Sequence, residues 1–141
     1  MSTLTLNPPQ ERKLVIASKS ENILLVENFV EQLQEEYRVK EDVYGNIVIA
    51  VTEAVNNGIM HGNKENPDKS VSISARLLNP FLLTITVQDE GNGFNVDNLP
   101  DPTLPENILS DTGRGVYIIK EICDNVEYSR NGTTVTMQFN I

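Results

Sequence analysis

A single cysteine and a shortage of basic side chains mark this sequence, and each shortage closes off a class of function. One thiol, Cys123, can form neither an internal disulfide nor a multi-cysteine metal centre. It follows Ile118, Ile119 and Ile122, a setting that predicts a buried apolar thiol and not a reactive one. The 11 Lys and Arg stand against 20 Asp and Glu, a formal net charge of -9. Such a chain repels phosphate backbones and anionic lipid alike, so neither nucleic acid nor a membrane surface is an expected partner. No apolar run approaches the roughly 20 residues that a membrane helix needs. The stretch from Met1 to Glu11 also lacks the charged-then-apolar pattern of a signal peptide, so a cytoplasmic protein is expected.

With 141 residues the chain suffices for one domain with a full core and is short for two. Asn7-Pro8-Pro9 and its polar neighbours predict a loose arm over residues 1–12, or an edge strand through Leu4 and Leu6, ahead of a single domain over 13–141. Lys13 to Ala17 reads as a short strand. Ser18 with Glu21 three residues on fits a capping box, and Ile23, Val26, Phe29, Val30 and Leu33 repeat at helical spacing to about Glu36. A second helix starts at Glu41 and Asp42, where acidic groups suit the positive end of the dipole, and Gly62 is placed to end it. Val71, Ile73, Ala75 and Leu77, then Leu83, Ile85 and Val87 after Asn79-Pro80, alternate as a strand hairpin with one buried face.

From Gly91 to Thr112 three prolines and no sustained period predict a long binding loop or lid. Helical spacing returns from Gly113 to Cys123. A second hairpin follows, Val126 to Arg130 and Thr133 to Ile141, with Asn131-Gly132 supplying a tight turn. Strand, two helices, hairpin, lid, helix, hairpin is the element order of an α+β two-layer sandwich, with a mixed, mostly antiparallel sheet covered on one face by helices.

The chemistry concentrates in three segments. In the second helix, Ile47, Val48, Val51, Ala54, Val55, Gly58 and Ile59 form an apolar stripe at about 100° per residue, while Glu53 and Asn57 lie on the opposite side, about 40° apart. A carboxylate and a carboxamide so placed can serve a ligand. The other segments are Asp89-Glu90-Gly91-Asn92-Gly93-Phe94, at the end of a strand, and Gly113-Arg114-Gly115, opening a helix. A glycine-rich phosphate loop closing on Lys and Ser or Thr is absent, so a nucleotide would have to be held by other means.

Glu53 to Gly62 resembles the N-box of the GHKL (Bergerat-fold) ATPases, Asp89 to Phe94 resembles their G1 box, and Gly113 to Ile119 resembles their G2 box. The Glu-Ala-x-x-Asn-x-x-x-His-Gly form is most similar to the bacterial anti-sigma-factor serine kinases. The resemblance spans Lys13 to Ile141 and implies ATP or ADP and Mg²⁺ as ligands. It implies Glu53 as general base, Asn57 as a metal ligand through its amide oxygen, and Asp89 as acceptor for the adenine amine. Gly91 and Gly93 would let the backbone approach the nucleotide, and Gly113, Arg114, Gly115 and Val116 would offer N–H groups to phosphates at a helix start. Thr133 or Thr134 would support the adenine pocket. His61 reads as a structural last-turn histidine.

The same resemblance implies an ATP-dependent serine kinase that binds a sigma factor and phosphorylates its anti-anti-sigma antagonist. A homodimer through the first strand or its neighbouring helix also comes from that likeness. One departure stands out: Gly91 to Thr112 contains no Lys or Arg, where some relatives carry a lid arginine. That absence keeps open a nucleotide-switched binding module without useful catalysis; a subunit serving a larger signalling phosphatase or sensor is a third alternative.

Overall fold

The computed structural model describes residues 11–93 and 111–141, with backbone alone for 111 and 112. The expected arm through Leu4 and Leu6, and nearly all of the expected lid including Phe94, lie outside the described residues.

The strands are β1 (Arg12–Ala17), β2 (Ser70–Asn79), β3 (Leu82–Gln88), β4 (Asn125–Ser129) and β5 (Thr134–Asn140). They form one five-stranded sheet in the order β1-β2-β3-β5-β4, with every pairing antiparallel. Because side chains alternate across a strand, Ile16, Ile73, Ile85, Val87, Met137 and Phe139 share one face and are buried. Ser72, Ser74, Thr84, Thr86, Thr136 and Gln138 occupy the other, in register from strand to strand. Helices α1 (Ile23–Tyr37), α2 (Glu41–Asn57) and α3 (Asp111–Ile122) cover the apolar face. Val26, Val30 and Leu33 of α1, Ile47, Val51 and Val55 of α2 and Ile119 of α3 join the strand residues in a single core. The expected α+β two-layer architecture is therefore what the chain adopts.

The apolar stripe of α2 falls where its periodicity places it, except that Val48 is only partly buried and Ala50, absent from the expected stripe, is fully buried. The helix does run on to Gly62, but its last turn, Gly58–Gly62, widens to π geometry. Asn63 N–H reaches the Gly58 carbonyl across five residues at 2.7 Å. Such widened turns accompany functional sites because they re-aim the side chains they carry.

The capping box at Ser18 does not form. A short 3₁₀ turn, Ser20–Asn22, precedes α1, and neither helix start carries a side-chain cap. Ser18 is fully buried instead, its hydroxyl donating to the Lys69 carbonyl at 2.8 Å and accepting from the Asn63 amide at 2.7 Å. An exposed cap competes poorly with a buried hydroxyl whose polar neighbours have no water to turn to.

Helix α1 ends on Arg38 in the left-handed region, φ 55° and ψ 49°, where an L side chain costs about 1–2 kcal/mol. Glycine is the usual solution at such a helix end. Arg38→Gly is expected to raise stability by about 0.5–1 kcal/mol once the added freedom of the unfolded chain is subtracted. A urea midpoint that falls would contradict this account of the cap.

Candidate functional site

Helix α2 carries Glu53 and Asn57 one turn apart on its side toward α3. The contact is tight at Gly115. A methyl group there would stand 2.9 Å from a Glu53 carboxylate oxygen and 2.9 Å from the Asn57 amide nitrogen. The acid and the amide thus lie together under the start of α3, so the N-box and G2 segments, more than fifty residues apart in sequence, meet.

The G1 segment joins them from the other side. Asp89 leaves the end of β3 with its N–H donated to the Thr133 carbonyl at 2.9 Å, and one of its carboxylate oxygens accepts the Gly91 N–H at 2.8 Å. A methyl group on Gly62 would fall 2.5–2.6 Å from the Asp89 carboxylate, and one on Gly91 would run into the Gly62 carbonyl. Gly93, with φ at 82°, presses against the Asn131 carbonyl of the β4–β5 turn. That φ, and the absence of room for a Cβ, both call for glycine.

Two adjoining hollows result. The first, of about 270 Å³, is lined by Ala54, Val87, Val135 and Tyr128, with Asp89 as its acidic group. Burial pushes the Asp89 carboxyl above its usual value, opposed by the Gly91 N–H bond and by the charge of Lys69. Burial likewise raises the Tyr128 phenol, which therefore stays neutral. Apolar walls with one half-buried acceptor fit a flat heterocycle bearing an amine donor.

The second hollow, of about 260 Å³, is polar: Glu53, Asn56, Asn57, Met60, His61 and Arg114 line it. Asn57 and His61 belong to both, so a ligand with its ring in the first would place a polar extension in the second. Arg114 brings positive charge, while Glu53 and Asn57 bring hard oxygen donors. Among the described residues there is no cluster of three or more His, Cys, Asp or Glu able to cage a metal. The donor set instead fits a hexacoordinate cation that arrives with phosphate oxygens and waters and needs one or two protein ligands.

Of the residues expected from sequence, Glu53, Asn57, Asp89, Gly93 and Arg114 line these hollows, Gly115 packs against Glu53 and Asn57, and Gly91 packs against the Gly62 carbonyl beside a separate hollow. Among the described residues α3 already runs from Asp111, so Gly113, Arg114, Gly115 and Val116 all lie within the helix. Their N–H groups are consequently less open than a helix start at Gly113 would make them. Thr133 lines the first hollow, its hydroxyl donating to the Arg130 carbonyl at 2.8 Å. Thr134 does not: it opens β5, and strand alternation puts it on the face opposite Val135, which lines the hollow, and beside Gln88.

His61, read as structural, is exposed and borders both hollows. Tyr128 also lines the first hollow, and its alternation with Val126 is that of any half-buried strand, so spacing alone does not mark it. Cys123 is partly buried, with its thiol pushed up to about 12 by burial and by Asp124, which keeps it protonated and unreactive.

A family model described as the histidine kinase-like ATPase domain matches residues 16–139. The anti-sigma F factor of Heyndrickxia coagulans is 35% identical over 105 residues, which cover 70% of this chain and 69% of that protein. The anti-sigma F factor of Bacillus cytotoxicus is 40% identical over 96 residues, covering 63% of this chain and 64% of that one. The chain thus spans about two thirds of the length of these relatives. Among solved structures, the RsbU and RsbW domains of a Mycobacterium tuberculosis protein match with a TM-score of 0.69. That match covers 94% of this chain and 33% of the other at 15% identity, a likeness of fold alone. No helix among the described residues is long and apolar enough to cross a membrane.

Proposed function

This chain belongs to the histidine kinase-like ATPase family, and we propose that it is an ATP-dependent serine kinase acting as an anti-sigma factor. In this reading it holds a sigma factor and phosphorylates a serine of the antagonist that would release it. The single observation that carries the reading is the meeting of Glu53 and Asn57 with Gly115 on one side and, through Gly62, with Asp89 on the other.

Adenine would enter the first hollow with its amine toward the Asp89 oxygen not already engaged by Gly91. The triphosphate would lie in the second, toward Arg114 and the first turn of α3. Mg²⁺ held by Asn57, when bound, would neutralise phosphate charge and draw electron density from the phosphoryl group being transferred. Glu53 would accept the proton of the serine hydroxyl while its oxygen forms a bond to the terminal phosphorus. The bond from that phosphorus to the bridging oxygen breaks, and ADP leaves. In such transfers positioning and charge stabilisation carry most of the catalysis, which is the service a pre-assembled acid, amide and helix start can give.

The relatives named anti-sigma F factors support the partner class, a sigma factor and an anti-anti-sigma protein. A cytoplasmic location and a homodimer belong to the same proposal. The test is to incubate the chain with Mg²⁺, labelled ATP and the antagonist. Phosphate on an antagonist serine is the expected result, and nucleotide uptake without any phosphoprotein would overturn kinase activity. That second outcome defines the competing reading, a nucleotide-switched binding protein, favoured by the absence of Lys and Arg from Gly91 to Thr112.

A further inference from the structure

Asn63, directly after the N-box, is 2% exposed and has every polar atom of its side chain engaged. Its amide nitrogen donates to the Ser18 hydroxyl at 2.7 Å and to the Ser70 carbonyl at 2.9 Å. Its amide oxygen accepts the Glu90 N–H at 2.7 Å. Ser70 closes the circuit by donating its own N–H to the Glu90 carboxylate. One side chain thereby ties the ends of β1 and α2 and the start of β2 to the residue between Asp89 and Gly91.

That placement has a geometric effect on the candidate site. Gly62 lies against the Asp89 carboxylate and Gly91 lies against the Gly62 carbonyl, with no room for a methyl group at either glycine. The separation between the end of α2 and the Asp89 turn is therefore held from both directions. The glycines limit how closely the two can approach, and the Asn63 oxygen, through Glu90 N–H, limits how far they can part. A carboxylate that must meet one donor on a flat base works only if its own position is fixed to a fraction of an ångström.

We infer that Asn63 is a positioning residue for base recognition, setting the place of the Asp89 carboxylate by holding Glu90 N–H. This rests on the reading of Asp89 as the adenine acceptor. Asn63 need not touch the nucleotide. Only an acceptor and two donors on one short, flat group satisfy all three partners at once, which is the chemistry of an asparagine amide.

The test measures ATP and GTP binding with fluorescent analogues, and amide hydrogen exchange at Glu90 and Gly91 in the nucleotide-free chain. Asn63→Ala is expected to lower the preference for ATP over GTP by about tenfold and to speed Glu90 exchange by at least about tenfold. Leu33→Ala serves as the control, since it opens a cavity in the core away from these bonds. It should reduce stability while leaving the preference unchanged, because loss of folded protein reduces both affinities together. Should Asn63→Ala fail to fold, Asn63→Ser keeps a hydroxyl for Ser18 but is too short to reach Glu90, and carries the same expectation.

An unchanged ATP-to-GTP ratio in a folded Asn63 variant overturns the inference. Failure of the native chain to bind either nucleotide sinks the functional reading instead. In that case unchanged Glu90 exchange would also overturn the clamp, and faster exchange would uphold its mechanical part.

Discussion

Glu53→Gln is expected to slow phosphoryl transfer to the antagonist serine by about 10²–10⁴-fold, the usual worth of a positioned general base. The substitution is nearly isosteric, so the contact with Gly115 and the neighbouring Asn57 stay in place. What disappears is the capacity to take the hydroxyl proton, since an amide oxygen is far too weak a base. ATP affinity should change by less than about threefold, because the proposed place of the base is against Asp89 in the first hollow, which Glu53 does not line. Rapid-quench measurement of phosphoserine formation together with calorimetric ATP binding separates the two quantities. Transfer at the native rate would remove Glu53 from its assigned role, whereas loss of binding and transfer together would make it a binding residue.

Asp89→Asn should weaken ATP binding by about 100-fold and shift preference toward GTP. The reason lies in how the existing carboxylate is used. One oxygen accepts the Gly91 N–H at 2.8 Å, which leaves the other for a ligand. In the asparagine variant the amide oxygen takes over the Gly91 bond, so an NH₂ group faces the hollow. Two donors then meet where adenine places its amine, and a charge-assisted bond of about 1.5–3 kcal/mol is lost as well. A guanine carbonyl at the same place would instead find a donor. Competition between the two nucleotides measures the outcome, and unaltered ATP affinity would show that Asp89 does not hold the base.

The same substitution has an opposite effect on the nucleotide-free protein. Burial raises the Asp89 carboxyl above its ordinary 3.8, so the folded chain holds that proton more tightly than the unfolded chain does. The stabilising contribution of the neutral form is complete below the unfolded-state value and is lost as pH rises through the folded-state value. At neutral pH the ionised group consequently costs stability, and asparagine avoids that cost. Asp89→Asn should melt higher than the native chain at about pH 7, with the difference narrowing as pH falls toward about 4. A site residue that lowers stability while serving a ligand is the usual trade between stability and function.

Much of this was legible from residues in order. The stripe of α2 and the alternation of the hairpins are periodic signals, so Val51, Val55, Ile73 and Val87 could be assigned to the core from spacing. Glu53 and Asn57 could be placed on one face of a helix, and Asp89 at a strand end, by the same arithmetic. Local signals misled where a distant partner outbid a near one. Ser18 looked like a helix cap, yet its hydroxyl serves Lys69 and Asn63, about fifty residues away. Thr134 resembles Thr133 in sequence, yet Thr133 belongs to the turn that borders the hollow while Thr134 opens β5 on the face away from it.

Residue order was enough to say which residue types were available for nucleotide chemistry and on which elements they would sit, because periodicity and turn chemistry act over a few residues. Folding alone brings the three separate segments together, makes Gly62, Gly91 and Gly115 the points where they touch, and places the Asn63 amide oxygen on Glu90 N–H. Such contacts depend on how helices pack against a sheet across the whole chain. No pattern of neighbours along a polypeptide encodes a distance between residues brought together by a common core.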